Sequence, residues 1–202
     1  VAFGPDGSLF LAQLSNNRVR RVAPNGIITT IAGTGEECSF AIELCGDGGP
    51  ATQAQLLGPM GLAVAPDGTI YISDSGTHRI RRVSPNGTIS TVVGTGNICG
   101  AFTPCGDGGS AMQATLNQPI GITLGQDGSL YIADPGVNRV RRVTVDGLIS
   151  TVAGGGLPKL GNGDGGPATQ AMLGIPSDVR LAQDGSLYIA DSFQGFNDQD
   201  FR

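Results

Sequence analysis

Tryptophan is absent from the 202-residue chain, aromatic residues make up only 5% of it, and there is a single histidine. Any core must therefore be filled by Val, Ile, Leu and Ala. Sites that need several imidazoles, or the short Cys/His spacings of structural zinc, have no basis in this composition. Charge is scarce as well. Charged residues total 14% and the net charge is −5, with a sequence pI near 4.6. An acidic chain is repelled by phosphate backbones, which argues against a nucleic-acid partner. No apolar run approaches the roughly 20 residues of a membrane span, so direct membrane insertion is not expected. No leader segment is visible, and Val1 opens in mid-pattern, which reads as a piece of something longer. Phosphate-loop and dinucleotide spacings are missing. So are the GxSxG nucleophile elbow and any Ser–His–Asp or Cys–His arrangement. The residues thus offer no catalytic group, no cofactor-binding motif and no metal-ligating set.

What the chain has in abundance is glycine, 34 residues of it, arranged with a period. The turns Asp6-Gly7, Asp67-Gly68, Asp127-Gly128 and Asp184-Gly185 lie 61, 60 and 57 residues apart. A fixed long period marks a repeat architecture and outranks any local assignment. One unit, Pro59 to Gly94, holds four strand-like runs rich in Ile, Val, Thr and Tyr: 62–65, 69–73, 78–83 and 88–93. Between the first and second stands Pro66-Asp67-Gly68, and between the third and fourth Pro85-Asn86-Gly87. Asp-Gly and Asn-Gly suit hairpin turns whose central residues take positive φ. The pattern predicts an all-β fold of β-propeller blades, each a four-stranded antiparallel meander. Packing of each blade between two others explains apolar strands without strict alternation; solenoid repeats are usually shorter and seldom hold two hairpin turns. The 202 residues read as a single domain of about three and a half blades, a partial propeller. Blade 1 is placed at about 1–33, blade 2 at 57–94, blade 3 at 117–154 and a partial blade 4 at 174–202. Within the last, segment 193–202 departs from the pattern and receives no role.

The runs "GLAVAPDGTIYISDSGTHRIRRV" and "GITLGQDGSLYIADPGVNRVRRV" resemble NHL repeats. The intervening "CGDGGPATQAQL" resembles the NHL segments of bacterial YD-repeat (RHS-like) surface proteins and of teneurins. The resemblance covers nearly the whole chain up to Ser192. It implies a propeller beside a large shell, working in adhesion or toxin display. Some NHL propellers resemble lyases and lactonases with metal in a central channel, which implies a second reading: an enzyme whose site is completed by blades missing from this chain. Of the inner strands only "PSDVRL" offers a channel carboxylate, Asp178. An RNA-binding NHL module is a third reading, opposed by the acidic charge.

The phrase CGDGGPATQAQL recurs as CGDGGSAMQATL from Cys105 and as NGDGGPATQAML from Asn162. It falls in the long connections between blades, on the face opposite the tight turns. Asp47, Asp107 and Asp164 are expected to accept from following backbone N–H groups, as at a turn or helix N-cap. Pro50 and Pro167 suit the first position of a helical turn. Ala51, Ala54 and Leu57 would lay one apolar side on the blade. A calcium site at Gly-Asp-Gly-Gly is the competing reading, weakened by one carboxylate per loop where calcium wants six to eight oxygens.

Cys38 with Cys45 and Cys99 with Cys105 form two local sets in equivalent connections, and the third connection lacks both members. Two small disulfides are the preferred reading, each contributing about 2–3 kcal/mol; four Cys allow three pairings, and zinc or free thiols are the alternatives. Disulfides imply an extracellular, cell-surface or periplasmic setting. Nine of the twelve Lys and Arg recur at three positions of the third strand, among them Arg79 and Arg139. Asp74, Asp134 and Asp191 end the second strand, and Arg–Asp pairing within a blade is expected, with a ligand-binding Arg ring as the rival. His78 replaces Asn17 and Asn138 of its sister blades as a polar loop-edge residue. The function expected is a non-catalytic extracellular scaffold that presents loops to a protein or glycan partner or spaces neighbouring domains. The candidate interaction residues are Glu36, Glu37, Phe40, Ile42, Glu43, Leu44, Ile98 and Phe102.

Overall fold

The computed structural model describes residues 1–39, 45–100, 103–156 and 163–192. Three four-stranded antiparallel sheets and one two-stranded sheet follow each other along the chain. Blade 1 comprises β1 (Ala2–Phe3), β2 (Leu9–Gln13), β3 (Arg18–Val22) and β4 (Ile28–Ala32). Blade 2 comprises β5 (Pro59–Val64), β6 (Ile70–Asp74), β7 (Arg79–Val83) and β8 (Ile89–Val93). Blade 3 comprises β9 (Ile122–Leu124), β10 (Leu130–Asp134), β11 (Arg139–Val143) and β12 (Ile149–Gly154). The fourth sheet pairs β13 (Pro176–Leu181) with β14 (Leu187–Asp191).

The hairpins are three-residue loops. Ala65 N donates to Thr69 O and Gly68 N to Ala65 O, at 2.8 and 2.9 Å. Only the glycine, at φ +86°, is left-handed, so Asp67 and Asn86 do not share the positive φ expected of them. A type I turn closed by a left-handed glycine is the usual three-residue hairpin. Asp67 acts instead through its side chain, accepting from Thr69 N at 2.9 Å and Thr69 Oγ1 at 3.0 Å. These hydrogen bonds hold its carboxyl below the ordinary range.

The core lies between blades rather than inside one. One face of blade 2 (Leu62, Ile70, Ile72, Val83 and Ile89) packs with Phe10, Val19 and Ala32 of blade 1. Its other face, Ala63, Ile80 and Val93, packs with Ile122, Leu130, Ile132, Val143 and Ile149 of blade 3. A third cluster joins Ala133, Val140 and Ala153 to Val179. Burying an Ile or Leu side chain stabilises by about 1.5–3 kcal/mol, so inter-blade packing is the main adhesive. Strict alternation fails for a second reason: each fourth strand carries a bulge. Ile80 faces Val93 while Arg81 faces Thr91, leaving Val92 as the extra residue. The same shift stands at Val19/Arg20 and Val140/Arg141. A bulge bends the strand and re-aims side chains, and here it sits beside the central arginine of each blade.

Candidate functional site: the connections and their ion-pair locks

The first two repeated phrases cap the outer edges of the blades that follow them. Gly48 N donates to Ile89 O, Ile89 N to Gly49 O and Ala51 N to Gly87 O, at 2.8, 3.0 and 2.8 Å. Gly108, Ile149 and Ala111 repeat the set on β12 at the same three distances. On the other side Gly33 N and Thr34 N, just past β4, donate to Ala51 O and Ala54 O. The phrase is thus hydrogen-bonded to two blades at once and leaves no bare edge where it sits, as sheet edges require. Ala51–Gln53 forms a single 3-10 turn, with Pro50 just before its first residue in extended conformation. The buried apolar residues are Ala51, Ala54 and Leu56; Leu57, expected in that role, is only partly buried. Gly46 is left-handed, at φ +90°, and a Cβ on it would come within 2.8 Å of Ala54 Cα, so this position requires glycine.

The phrase's aspartates do not cap the turn that follows; that turn has no side-chain cap. Asp47 Oδ1 accepts from Arg81 Nη2 at 2.5 Å and Nε at 3.1 Å, and Oδ2 accepts from Thr91 N at 2.8 Å. Asp107 Oδ1 accepts from Arg141 Nη2 and Oδ2 from Thr151 Oγ1, both at 2.7 Å. With their oxygens engaged by guanidinium, backbone and hydroxyl donors, Asp47 and Asp107 are poorly placed to serve calcium. Asp164 is exposed and, among the described residues, has no ion pair.

Arg81 and Arg141 are fully buried, and each also faces the aspartate that ends its own second strand. Arg81 Nη1 lies 3.4 Å from Asp74, and Arg141 Nη1 lies 3.7 Å from Asp134. Within-blade pairs therefore exist, but the shortest contact of each central arginine goes to the connection. Arg79 and Arg139, although in register with Asp74 and Asp134, donate elsewhere: to Thr95 O at 2.8 Å and Thr103 O at 2.7 Å, fastening the outgoing and incoming connections. Arg21 and Arg142 reach the turn aspartates Asp6 and Asp127 at 2.5 and 2.7 Å. Asp191 accepts from Gly174 N at 2.9 Å and is exposed.

Burial raises the carboxyl of Asp74, opposed by the Leu57 amide, Arg81 and the Thr77 hydroxyl. Burial pushes Asp134 up to about 7, opposed by the Asn117 amide and by Arg141 and Arg139. Asp134 Oδ2 has no hydrogen-bond partner. A residue pattern not read for this role also links blades. Asn17 and His78 are left-handed, a conformation Asn and His tolerate. Asn17 Oδ1 accepts from Gly58 N at 2.9 Å, and His78 Nδ1 from Gln118 N at 3.0 Å, each reaching the start of the next blade. The recurrence of Asn, His and Asn just before each RxRR strand was its only signal in the sequence.

Disulfides join Cys38 to Cys45 and Cys99 to Cys105, each spanning 5.6 Å between Cα atoms. The second packs on buried Val137 of blade 3. Beside these bases Glu36, Glu37 and Ile98 are exposed, Ile98 by 65%. Phe40, Ile42, Glu43, Leu44 and Phe102 lie outside the described residues, as does segment 193–202. Where the inner strands converge, a cleft of 190 Å³ is lined by apolar residues such as Met60 and Ile120 and by the polar Ser177, Asp178 and Arg180. Its carboxylate, Asp178, pairs with Arg180 at 3.0 Å. Among the described residues no group of three His, Cys, Asp or Glu is placed to hold a metal, and no helix is long and apolar enough to cross a membrane.

Four-stranded meanders packed face to face, the second and third sealed by the connections before them, define a β-propeller built from NHL-type blades. The sequence profile of the Teneurin NHL domain matches residues 27–104 and 92–160, and the chain belongs to that family. Teneurin-3 of Danio rerio is 34% identical over 92% of the chain, and Teneurin-m of Drosophila melanogaster is 35% identical over 79%. The chain spans only 10% and 5% of the lengths of these relatives. A Bacteroides thetaiotaomicron protein of unknown function superposes with a TM-score of 0.70 at 24% identity, over 95% of this chain and 44% of that one. A streptogramin B lyase gives 0.55 at 19% over 94% and 46%, and a chain of a nidogen/laminin complex gives 0.60 at 20% over 93% and 54%. At these identities the likeness speaks for the fold alone.

Proposed function

We propose that the chain is a non-catalytic propeller scaffold of a large cell-surface protein, working in adhesion, and that it presents its disulfide-based loops to a protein or glycan partner. One observation carries the reading. The central arginines Arg81 and Arg141 are buried and locked to the incoming connection, whereas Glu36, Glu37 and Ile98 project beside a covalently pinned base. Rigid bases with variable tips are how scaffolds place recognition on loops. The two disulfides suit an oxidising exterior, and kinship with teneurins supports a setting among neighbouring domains of one long polypeptide.

The test exchanges the tips. Residues 36–45 and 97–105 are replaced by the equivalent cysteine-free segment of the third connection, 157–162, within the longer surface protein, and cell–cell aggregation and binding to glycan and ectodomain panels are measured. The expected result is loss of binding with the propeller's melting transition lowered only by the share of the disulfides. Undiminished binding after the exchange would sink the proposal.

A further inference from the structure

On the side of the tight turns, blades 1 and 2 flank a cleft of 560 Å³, and blades 2 and 3 flank its equivalent of 690 Å³. In each, the third arginine of the earlier blade's RxRR strand lines one wall, and the phrase with the later blade's third-to-fourth hairpin lines the other. Arg21, in the first cleft, is engaged within its own blade, by Asp6 at 2.5 Å and Ser8 Oγ at 2.9 Å. Arg142 is held in the same way, by Asp127 at 2.7 Å and Ser129 Oγ at 3.1 Å. Arg82, in the second cleft, is not. The residue after its turn is Thr69, whose amide and hydroxyl take the Asp67 carboxylate, and Asp67 acts on Arg82 only through space. Arg82 is exposed and, among the described residues, makes no ion pair or hydrogen bond. The opposite wall differs too. It carries Met112, Val145 and Leu148, exposed by 55%, 77% and 47%, where the corresponding residues at the first cleft are Thr52, Pro85 and Thr88.

We propose that the cleft between blades 2 and 3 docks an acidic peptide segment of a partner protein, with a carboxylate on Arg82 and large apolar side chains on Met112, Val145 and Leu148. Three observations support this occupant. First, the sister cleft has the same architecture without the free guanidinium or the exposed apolar wall, so blade packing demands neither. Second, the charges are complementary. A guanidinium fork matches a carboxylate with two parallel hydrogen bonds. The cleft's own carboxylate, Asp146, accepts from the Thr144 hydroxyl and makes no ion pair with Arg82. One arginine with an acid nearby does not suit a polyanion such as a sulfated glycan or an anionic membrane, which needs a field of several cations. Third, apolar side chains gathered at a concave site mark interaction surfaces, and arginine beside them is a common anchor of binding energy. A volume of 690 Å³ falls within the range of about 300–1,000 Å³ usual for ligand sites, which suits a short segment better than a folded face. This inference stands apart from the loop-face reading, since it uses none of the disulfide loops.

A phage-displayed library of short random peptides is selected on the full 202-residue chain. Enriched sequences are synthesised and titrated by calorimetry, and backbone amide NMR shifts locate the site. The expected peptides carry Asp or Glu beside large apolar residues and shift the amides of Met112, Val145 and Leu148. Arg82→Gln, and Met112→Thr with Leu148→Thr, should each weaken binding about tenfold or more. These side chains are exposed and the threonines are those of the sister cleft, so the variants are expected to melt as the parent does, and that melt is the check on folding. Arg21→Gln, in the sister cleft, should leave binding unchanged. Absence of enrichment, selected peptides without an acidic residue, or binding indifferent to the changes at Arg82, Met112 and Leu148 would overturn the proposal. So would binding of heparin fragments lost in Arg82→Gln, because the occupant would then be a glycan. Self-association measured by light scattering and abolished by Arg82→Gln would overturn it in favour of a second copy.

Discussion

Blades 2 and 3 hold the same buried aspartate against the same arginine, yet the two carboxylates live in different company. Asp74 has the Thr77 hydroxyl at 2.9 Å on the oxygen that also faces Arg81 at 3.4 Å. In blade 3 that threonine is Val137, the arginine stands off at 3.7 Å, and Asp134 Oδ2 has no hydrogen-bond partner. Burial raises both carboxyls; the Thr77 hydroxyl is a donor that opposes this at Asp74 and has no counterpart at Asp134. The loss is matched by a gain elsewhere, for Val137 packs against the Cys99–Cys105 disulfide. Blade 3 has exchanged polar satisfaction inside the lock for apolar support under the loop.

The comparison can be broken most severely at its centre. Arg81→Ala strands two carboxylates, and removing one partner of a buried pair typically costs about 3–5 kcal/mol. Arg141→Ala should cost less at pH 6 than at pH 8, because Asp134 is largely protonated at the lower pH and needs no counter-charge. Denaturant unfolding of both variants at pH 6 and pH 8 checks this, and equal losses at both pH values would refute the distinction. Next in size, Cys99→Ser with Cys105→Ser should lower stability by about 2–3 kcal/mol; melting under oxidising and reducing conditions gives the figure, and the parent chain should lose its advantage on reduction.

A third variant sharpens the proton argument. Asp134 has its pKa raised from 3.8 to about 7 in the folded chain. The folded state thus binds the extra proton between these values, and stability from this group is full below about pH 4 and lost as pH rises through 7. Asp134→Asn should flatten the fall in melting temperature between pH 5 and 8. The turn aspartates act in the opposite sense and lower down. Asp6 is lowered to about 2 by the Ser8 amide and hydroxyl and by Arg21, so its contribution disappears only as pH falls from about 4 through 2. The smallest effect is the exchange of the hydroxyl itself. Val137→Thr should bring the Asp134 titration down and Thr77→Val should send Asp74 further up, each changing stability by about 1 kcal/mol, read as opposite shifts of the pH–stability curve.

The period, the meander and the strands were legible because Asp-Gly turns and Ile/Val/Thr runs are local signals. What was not legible is long-range. Asp47 meets Arg81 across 34 residues, and no local rule distinguishes that from a cap on the next turn. The bulge at Val92 moved the register by one residue, and Leu56 rather than Leu57 entered the core because the stretch after the single 3-10 turn is extended. The arginine triplet looked like one feature but has three tasks: the first two, two residues apart on one face of the strand, fasten a connection and close the lock, and the third, on the opposite face, reaches the turn.

Because each lock takes one carboxylate from a connection and its arginine from the blade after it, the heritable module is not the blade. It is a connection together with the sheet it seals. A recombination event that joined the first phrase to the second at their shared Gly-Asp-Gly-Gly would delete one whole period and still leave the surviving Asp107 facing Arg141. Removing or copying a sheet without its connection would separate acid from base instead. Gene duplication in such a chain is therefore tolerant of where it strikes, provided that connections and sheets are copied in equal number.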